Sequence, residues 1–351
     1  MTDSQSITLY TSIPPKLHRM AGGLEYGDAY QKECINSWIS AGFRVVSINP
    51  GSEIAYLANK YPQVRFEDSG SEDVRTRIHV FLRHIAATGE PLSGIINADC
   101  YLLDCGSIAD RIRAASQESV VLLRRLNLDP TALRPTGRRC PGFDAFLFDT
   151  AFLPLVDDIG NWSIGTPWWD FWFPVAMYLA GARLRMLDAP VLLHLDHEQS
   201  WRVDDCDAQA AQLWDVLIAH TRKTMSGAKS PENRVLCGVD LANETCRVEQ
   251  IAERIVPWLH LQAETIRLSG EGVAGNLLSR VLMGLEESQE ASLRHQLDTV
   301  TFPKWLRSKR AAVHRLRDRV RRQSPSPNLQ SPRAESKPTQ KPADNGAPRP
   351  A

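Results

Sequence analysis

Short apolar runs alternate with segments of helical periodicity over the first hundred residues. Runs bounded by Gly, Pro or Asn predict buried strands at 7–13, 44–48, 64–66 and 91–96. Between these runs, apolar residues recur every three to four positions, which predicts helices at 30–41, 53–60 and 73–88. Strands that alternate with helices build βαβ units. The pattern therefore predicts an α/β fold whose mostly parallel sheet is flanked by helices.

The second half of the chain continues this alternation and then becomes mostly helical. The pattern predicts a helix at 107–115 and strands at 119–123, 142–149, 183–187 and 189–193. The last apolar periodicity, at 302–322, belongs to a basic amphipathic helix. The residues beyond it are rich in Ser, Pro and Lys, a composition typical of disorder. We therefore predict an α/β domain at 1–204, a helical C-terminal region at 205–322 and a disordered tail at 323–351.

The apolar run 91–96 leads directly into two polar side chains, Asn97 and Asp99. In open α/β sheets, ligands bind beyond the carboxyl ends of the strands, where Asn97 and Asp99 can reach a ligand or its cation. One carboxylate and one amide suit a divalent ion that also binds substrate phosphates, because Mg²⁺-type ions keep few protein ligands. The alternative is that the two residues only form a turn, for which Asn and Asp are well suited.

Three further polar positions stand at the ends of predicted elements. Asp144 lies near the start of the strand at 142–149. Asp170, among three tryptophans at a helix start, either caps that helix or is a base whose pKa the apolar surroundings raise. His194 ends the last strand, and Asp196, His197 and Glu198 follow it. Two histidines and two acids at a strand end favour metal ligation or acid–base chemistry over a structural histidine.

An arginine-rich segment lies between the strands at 119–123 and 142–149. Guanidinium groups pair well with phosphate and carboxylate oxygens, so the segment either contacts an anionic ligand or is a solvated loop. Its five arginines are Arg124, Arg125, Arg134, Arg138 and Arg139.

Composition and charge indicate where the protein is located and what kind of partner it has. Seven cysteines without a CxxC pair argue against a disulfide framework or a structural zinc. The sequence has no signal-like start and no apolar stretch of spanning length, which predicts a cytoplasmic protein. Although the net charge is zero, residues 304–351 hold 13 Lys and Arg against 3 Asp and Glu. We predict that 304–322 binds an anionic membrane surface; a solvated helix is the alternative, and nucleic acid is disfavoured because aromatic residues for base stacking are missing.

The order of the motifs resembles that of glycosyltransferases of the GT-A fold, in the nucleotide-diphospho-sugar transferase superfamily. The resemblance is carried by Thr11-Ser-Ile, Ser37-Trp, Asn49, Ile96-Asn-Ala-Asp, Gly142-Phe-Asp-Ala-Phe, Gly165-Thr-Pro-x-Trp-Asp-x-Trp and His194. It covers about residues 5–203 and leaves the helical C-terminal region outside. The resemblance implies a Rossmann-like, mostly parallel sheet that binds a nucleotide sugar.

The resemblance also assigns expected roles. Asp99 and His194 match the ligands of a divalent metal, Mn²⁺ or Mg²⁺, and Asp170 matches the catalytic carboxylate on the acceptor side. Asn97 stands where many members have Asp, which implies weaker metal binding, with Asn97 a contact to the ribose or a metal-bound water. The other matches are expected to bind substrate: Thr11, Ser12 and Asn49 near the nucleotide base, Arg75 or Arg77 at its phosphates or ring, Asp144 at the donor sugar, and Trp169.

The resulting hypothesis is a glycosyltransferase that moves a sugar from a nucleotide-diphosphate donor to a glycan or lipid-linked acceptor, recruited to the inner membrane face by residues 304–322. Two alternatives remain. One is a sugar-phosphate nucleotidyltransferase, which normally has a glycine-rich basic loop after the first strand; Thr11-Ser-Ile-Pro-Pro is a poor substitute. The other is a catalytically silent scaffold that has kept the fold.

Overall fold

An eight-stranded sheet forms the centre of the fold. The computed structural model describes residues 6–21, 24–103, 108–130, 136, 142–156, 161–187, 191–197, 206–217 and 248–266. The chain divides into two units, Met1–Gln296 and Leu297–Ala351, and every described residue belongs to the first.

The described strands, in chain order, are β1 (Thr8–Thr11), β2 (Met20–Ala21), β3 (Leu24–Glu25), β4 (Arg44–Asn49), β5 (Arg65–Asp68), β6 (Leu92–Ile96), β7 (Tyr101–Leu102), β8 (Ser119–Leu123), β9 (Arg125–Leu128), β10 (Ala145–Asp149), β11 (Arg183–Leu187), β12 (Leu192–Leu195) and β13 (Glu264–Ile266). The main sheet has the order β13-β11-β8-β10-β6-β1-β4-β5. Its neighbours pair in parallel, except that β10 runs antiparallel to both β6 and β8.

The single antiparallel strand decides which residues meet at the edge of the sheet. The carboxyl ends of the parallel strands lie at one edge, and the amino end of β10 lies there too. Ala145, the first residue of β10, pairs with Ile96, the last residue of β6. Asn97 and Asp144 are therefore neighbours although 47 positions separate them in the sequence.

A second, three-stranded sheet places the end of β12 beside the same edge. Its order is β7-β12-β9, with β12 antiparallel to β7 and parallel to β9. In this register His194 pairs with Asn127. The short β7 follows Asp99 by two residues, so the second sheet brings the β6–β7 connection and His194 together.

Helices cover both faces of the main sheet. They are α1 (Gly27–Ser40), α2 (Gly51–Lys60), α3 (Ile78–Thr88), α4 (Ile108–Ser116), a 3₁₀ helix at Thr150–Leu155, α5 (Trp169–Leu179), α6 (206–217) and α7 (Val248–Gln262). One hydrophobic cluster lies under α3 and α5, and a second lies under α1 and α4. Among the described helices, none has the length and apolar character that a membrane crossing requires.

Two glycines allow close approaches that no other residue permits. A Cβ on Gly27 would lie 1.5 Å from the carbonyl oxygen of Leu17, so only glycine lets α1 begin against that segment. A Cβ on Gly94 would lie 2.9 Å from the carbonyl oxygen of Phe146, so glycine is required where β6 passes β10. Both contacts support elements that carry the edge residues.

The predicted architecture is confirmed: the protein has an α/β fold whose sheet is mostly parallel and flanked by helices. Two details differ. The helix predicted at 73–88 begins only at Ile78, because the residues before it form turns in which Ser69 and Ser71 bond to backbone groups. The region predicted as helical also contributes β13, which pairs with β11 at the edge of the sheet. The predicted helix at 302–322 and the tail lie outside the described residues.

Candidate functional site

Asp99, His194 and His197 form a cluster of metal-type ligands. The Asp99 Oδ2 atom lies 3.3 Å from His194 Nε2 and 3.4 Å from His197 Nε2, and the three ligand atoms lie within 4.8 Å of one another. Ligands that bind one ion at right angles with bonds of about 2.1 Å are about 3 Å apart. The donor set therefore fits a single divalent metal ion with further coordination positions left for substrate.

A hydrogen bond to Asn127 fixes the orientation of the His194 ring. His194 Nδ1 lies 3.1 Å from Asn127 Oδ1, and because this oxygen only accepts, Nδ1 carries the proton. Nε2 is then the nitrogen that faces Asp99 Oδ2: when protonated it donates to the carboxylate, and when deprotonated its lone pair can bind a metal ion. The pairing of β12 with β9 thus prepares His194 as a ligand.

Arg19 is the cation nearest to Asp99. Its Nη2 atom lies 2.5 Å from Asp99 Oδ2 and 2.8 Å from His197 Nε2. Burial alone would raise the pKa of Asp99, but His194 and the Arg19 guanidinium hold that pKa well below its ordinary value. Asp99 is therefore a carboxylate at all physiological pH values.

Helix α1 holds the β6–β7 connection, which carries Asp99, through hydrogen bonds. Four of its side chains bond to backbone groups of residues 98–102: Tyr30 to the carbonyl of Asp99, Gln31 to that of Ala98, Trp38 to that of Cys100, and Ser37 from the N–H of Leu102. The Tyr30 hydroxyl also accepts from the N–H of Leu195, so it links the connection that carries Asp99 to the end of β12, which carries His194. Burial raises the pKa of Tyr30, which keeps its hydroxyl protonated as a donor.

Asn97 and Asp144 form a second polar group beside the cluster. Asn97 Nδ2 donates to Asp144 Oδ1 over 2.6 Å, and Arg125 Nη1 donates to the same oxygen over 2.7 Å. Asp144 Oδ2 and Asn97 Oδ1 are buried and have no hydrogen-bond partner in the described part of the chain. Buried acceptors without a donor are costly, so these two oxygens indicate a ligand that supplies hydroxyl or N–H groups.

Asp170 lies in a different environment, at the aromatic start of α5. Its pKa is raised from 3.8 to about 7, first because burial penalises the charge and then because Asp144 is negative; Arg125 opposes the rise. Gly142 lies directly against it, since a Cβ there would be 1.8 Å from Asp170 Oδ2. Asp170 does not cap the helix, because the N-cap is Trp168 and makes no side-chain capping bond. The raised pKa predicted for the second alternative is therefore present, and the role of Asp170 as a base stays a prediction.

The N-cap of α5 is strained. Trp168 has φ 70° and ψ −15°, a left-handed conformation that a bulky residue rarely adopts. Its ring N–H donates to the carbonyl of Cys206 over 2.9 Å, and its ring packs 5.6 Å from that of Phe171. These contacts hold the strained residue in place directly before Asp170, and strain of this kind is common beside functional groups.

The residues predicted to contact the nucleotide base lie at the carboxyl ends of β1 and β4. Thr11 is fully buried, and its hydroxyl has no partner among the described residues. Ser12 Oγ lies 3.1 Å from Thr76 Oγ1, while Asn49 uses its amide nitrogen for the Ile13 carbonyl and Glu53. Arg75 is half-buried and interacts within the chain. Their contact with a nucleotide stays a prediction.

Trp169 and the described arginines of the arginine-rich segment have partners within the protein. Trp169 is 2% exposed, and its ring packs edge-to-face on Phe146 in the core, so its predicted contact with substrate has no support here. In the arginine-rich segment, Arg125 pairs with Asp144, while Arg124 donates to the Leu187 carbonyl. The other three arginines lie outside the described residues.

Sequence reasoning missed Arg19 and underused His197. Arg19 stands in a segment without periodicity, eighty positions before Asp99, and no pattern around it indicates a site. His197 was recognised as part of the polar strand end, but its place as a third ligand depends on the turn after β12. The signal that could have found it was its spacing of three residues from His194.

No protein-family model matches the sequence, and no curated protein does either. Among solved structures, the chain is similar to a mannosyltransferase from Pyrobaculum calidifontis in complex with GDP-mannose and Mn²⁺, at 12% identity, a TM-score of 0.38 and coverage of 86% of this chain and 82% of that one. It is also similar to a putative nucleotide-diphospho-sugar transferase from Desulfovibrio desulfuricans (12% identity, TM-score 0.34, coverage 75% and 99%) and to a nucleotidyltransferase from Methanothermobacter (13%, 0.33, 62% and 99%).

Proposed function

We propose that the protein is a glycosyltransferase that moves a sugar from a nucleotide-diphosphate donor to a hydroxyl of a glycan or lipid-linked acceptor. One observation carries the proposal: a metal-type ligand set and a carboxyl group with a pKa near 7 stand at the same edge of the sheet. Transfer from a diphosphate donor needs both, because negative charge grows on the leaving group while the attacking hydroxyl loses a proton.

Asp99, His194 and His197 would hold the divalent ion, which supplies a positive charge that stabilises the leaving diphosphate. Two imidazoles and one carboxylate form a softer donor set than the all-oxygen sites that Mg²⁺ prefers. The ligand set therefore favours Mn²⁺ over Mg²⁺. Asn97 is not a member of this ligand set, and its side-chain oxygen has no hydrogen-bond partner among the described residues, so it is assigned to substrate.

Asp144 and Asn97 are assigned to the sugar or ribose of the donor. Their unpartnered buried oxygens accept from hydroxyl groups, which sugars present in abundance. Arg125 neutralises Asp144, so this carboxylate can remain buried while it accepts a second hydrogen bond. Removal of Arg125 would leave the Asp144 charge uncompensated, whereas removal of Asn97 would cost one hydrogen bond.

Asp170 is assigned to the acceptor side as general base. With a pKa near 7, the group ionises in the working range of pH and is a stronger base than an ordinary aspartate. In an inverting transfer, its carboxylate removes the proton of the attacking hydroxyl. Gly142 leaves the carboxyl oxygen uncovered by any side chain at that position.

A nucleotidyltransferase activity is less well supported, because the connection after β1 offers few donors for a triphosphate. The N–H of Ile13 donates to Ser47 Oγ, and Pro14 and Pro15 have no N–H. A phosphate-binding loop needs several free backbone N–H groups. Membrane recruitment through 304–322 and a cytoplasmic location stay predictions, since that segment lies outside the described residues.

A donor screen tests the proposal without knowledge of the acceptor. Purified protein is incubated with Mn²⁺ and a panel of nucleotide sugars, and release of the nucleoside diphosphate by slow hydrolysis is measured. We expect turnover of at least one donor, and loss of that turnover in Asp99→Ala at unchanged melting temperature. The matched control is Asp28→Ala, which removes an exposed partner of Lys60. Full turnover by Asp99→Ala, or no donor turned over by the native protein, would contradict the proposal.

A further inference from the structure

We infer that Arg19 is the resident counter-ion of Asp99, that a divalent metal ion takes its place, and that the displaced guanidinium then binds the phosphates of the donor. The inference deepens the proposed function and rests on it for the identity of the donor. The exchange itself involves only Arg19, Asp99 and His197, and it can be measured without any sugar nucleotide.

The Arg19 side chain occupies the position of a bound cation. Its Nη2 atom contacts two of the three metal-type ligand atoms, Asp99 Oδ2 at 2.5 Å and His197 Nε2 at 2.8 Å. The side chain is 11% exposed and that of Asp99 is 18% exposed, so this ion pair is largely shielded from water. A charge-assisted hydrogen bond of this kind is stronger than one between neutral groups.

Arg19 and a metal ion cannot both use His197. An imidazole nitrogen that accepts a hydrogen bond has a single lone pair, and here Nε2 accepts from the guanidinium, which has only donors. Ligation of a metal by the same nitrogen requires that lone pair. Two positive charges on Asp99 Oδ2 would also repel each other at short range. Binding of the ion by the full ligand set therefore requires Arg19 to leave.

The chain around Arg19 allows the side chain to move while the backbone stays in place. The N–H of Arg19 donates to Glu25 Oε1 over 2.9 Å, its carbonyl accepts from the N–H of Tyr26, and Glu25 also accepts from the N–H of Gly27. The pKa of Glu25 is lowered by these backbone bonds, so it remains a charged acceptor. Only rotation within the Arg19 side chain is needed for the exchange.

The guanidinium is also incompletely bonded in its present position. Arg19 Nε is buried and has no hydrogen-bond partner among the described residues, while Nη1 donates to the carbonyl of His18 over 2.9 Å. A phosphate group can accept from Nε and one Nη together, the bidentate geometry that guanidinium groups favour. A diphosphate beside the metal would thus accept from Arg19 Nε, which does not donate to Asp99.

The first experiment titrates Mn²⁺ alone into native protein and Arg19→Gln, with free Mn²⁺ measured by electron paramagnetic resonance. Loss of the competing charge-assisted bond should tighten Mn²⁺ binding about ten-fold. Arg44→Gln is the matched control. Arg44 forms a 2.7 Å ion pair with Glu90 outside the cluster, so its loss should leave the Mn²⁺ affinity unchanged. Equal or weaker Mn²⁺ binding by Arg19→Gln would overturn the exchange.

The second experiment titrates inorganic pyrophosphate into both proteins at saturating Mn²⁺. Arg19→Gln should bind it about ten-fold more weakly, because the guanidinium is missing. Unchanged pyrophosphate binding would overturn the second step of the inference. If the Gln variant does not fold, Arg19→Lys keeps the positive charge without the planar set of N–H donors, and it should shift both affinities in the same directions by smaller factors. Failure of the donor screen alone affects neither titration.

Discussion

Asp99 and Asp170 stand at the same edge of one sheet, yet their surroundings shift their pKa values in opposite directions. Around Asp99, burial is outweighed by His194 and Arg19, and the pKa falls well below its ordinary value. Around Asp170, burial is reinforced by the negative charge of Asp144, and the pKa rises to about 7. The same residue type is thus a permanent anion in one place and a titratable base in the other.

The difference has its origin in the partners that the fold supplies. Asp99 follows a buried strand, but its carboxylate meets side chains from two other chain segments: Arg19 before α1, and His194 and His197 at the end of β12. Asp170 lies in the first turn of α5, and its neighbours in sequence, Trp169 and Phe171, are both buried. Asp144 acts on it through space and Arg125 compensates only in part. Pairs of carboxyl groups separated in this way are typical of sites that divide charge stabilisation from proton transfer.

The largest effect is expected from the loss of the Asp170 carboxylate. Asp170→Asn should lower donor turnover by roughly 10²–10⁴-fold, the usual contribution of a general base, while Mn²⁺ affinity stays at the native value. Steady-state kinetics and Mn²⁺ titration of the same preparation measure the two quantities. Asp110→Asn is the control, since Asp110 is exposed on α4 and pairs with Arg113. A parallel loss of Mn²⁺ affinity in Asp170→Asn would show that the two carboxylates are not independent.

A second prediction concerns stability. Because the folded-state pKa of Asp170 lies above its ordinary value of 3.8, the native state holds a proton that the unfolded state has lost between pH 4 and 7. This group therefore lowers stability progressively as pH rises through that window. Asp170→Asn should be more stable than the native protein at pH 8, by on the order of 2 kcal/mol, with the difference vanishing near pH 4. Urea unfolding at several pH values measures it; a pH-independent difference would refute the raised pKa.

The smallest effect is expected at Asn127, the hydrogen-bond partner of the potential metal ligand His194. Asn127→Ala removes the acceptor that orients His194, and loss of such an outer partner weakens metal binding about ten-fold. The Mn²⁺ dissociation constant is the readout, with Asn161→Ala as control because Asn161 accepts only from the exposed Arg77 among the bonds described here. Native affinity in Asn127→Ala would mean that the β12–β9 pairing alone holds the ring.

The sequence predicted the sheet and several edge residues because both follow from local patterns. The apolar run before Asn97 and Asp99 and the strand end at His194 have clear periodicity, so their meeting at one edge follows from parallel pairing. Arg19 could not be predicted, because its contact with Asp99 depends on a long connection whose path is set by Gly27 and Glu25. The aromatic surroundings of Asp170 were visible, but whether Trp169 faced the ligand or the core depended on how α5 packs on β10.

The division of labour between the two carboxylates is tested most directly by one Mn²⁺ titration of three proteins: the native chain, Asp99→Asn and Asp170→Asn. We expect the native protein and Asp170→Asn each to bind one Mn²⁺ with equal affinity. We expect Asp99→Asn, which lacks the only carboxylate of the ligand set, to bind Mn²⁺ at least about a hundred-fold more weakly. No Mn²⁺ binding by the native protein, or native affinity in Asp99→Asn, would contradict it.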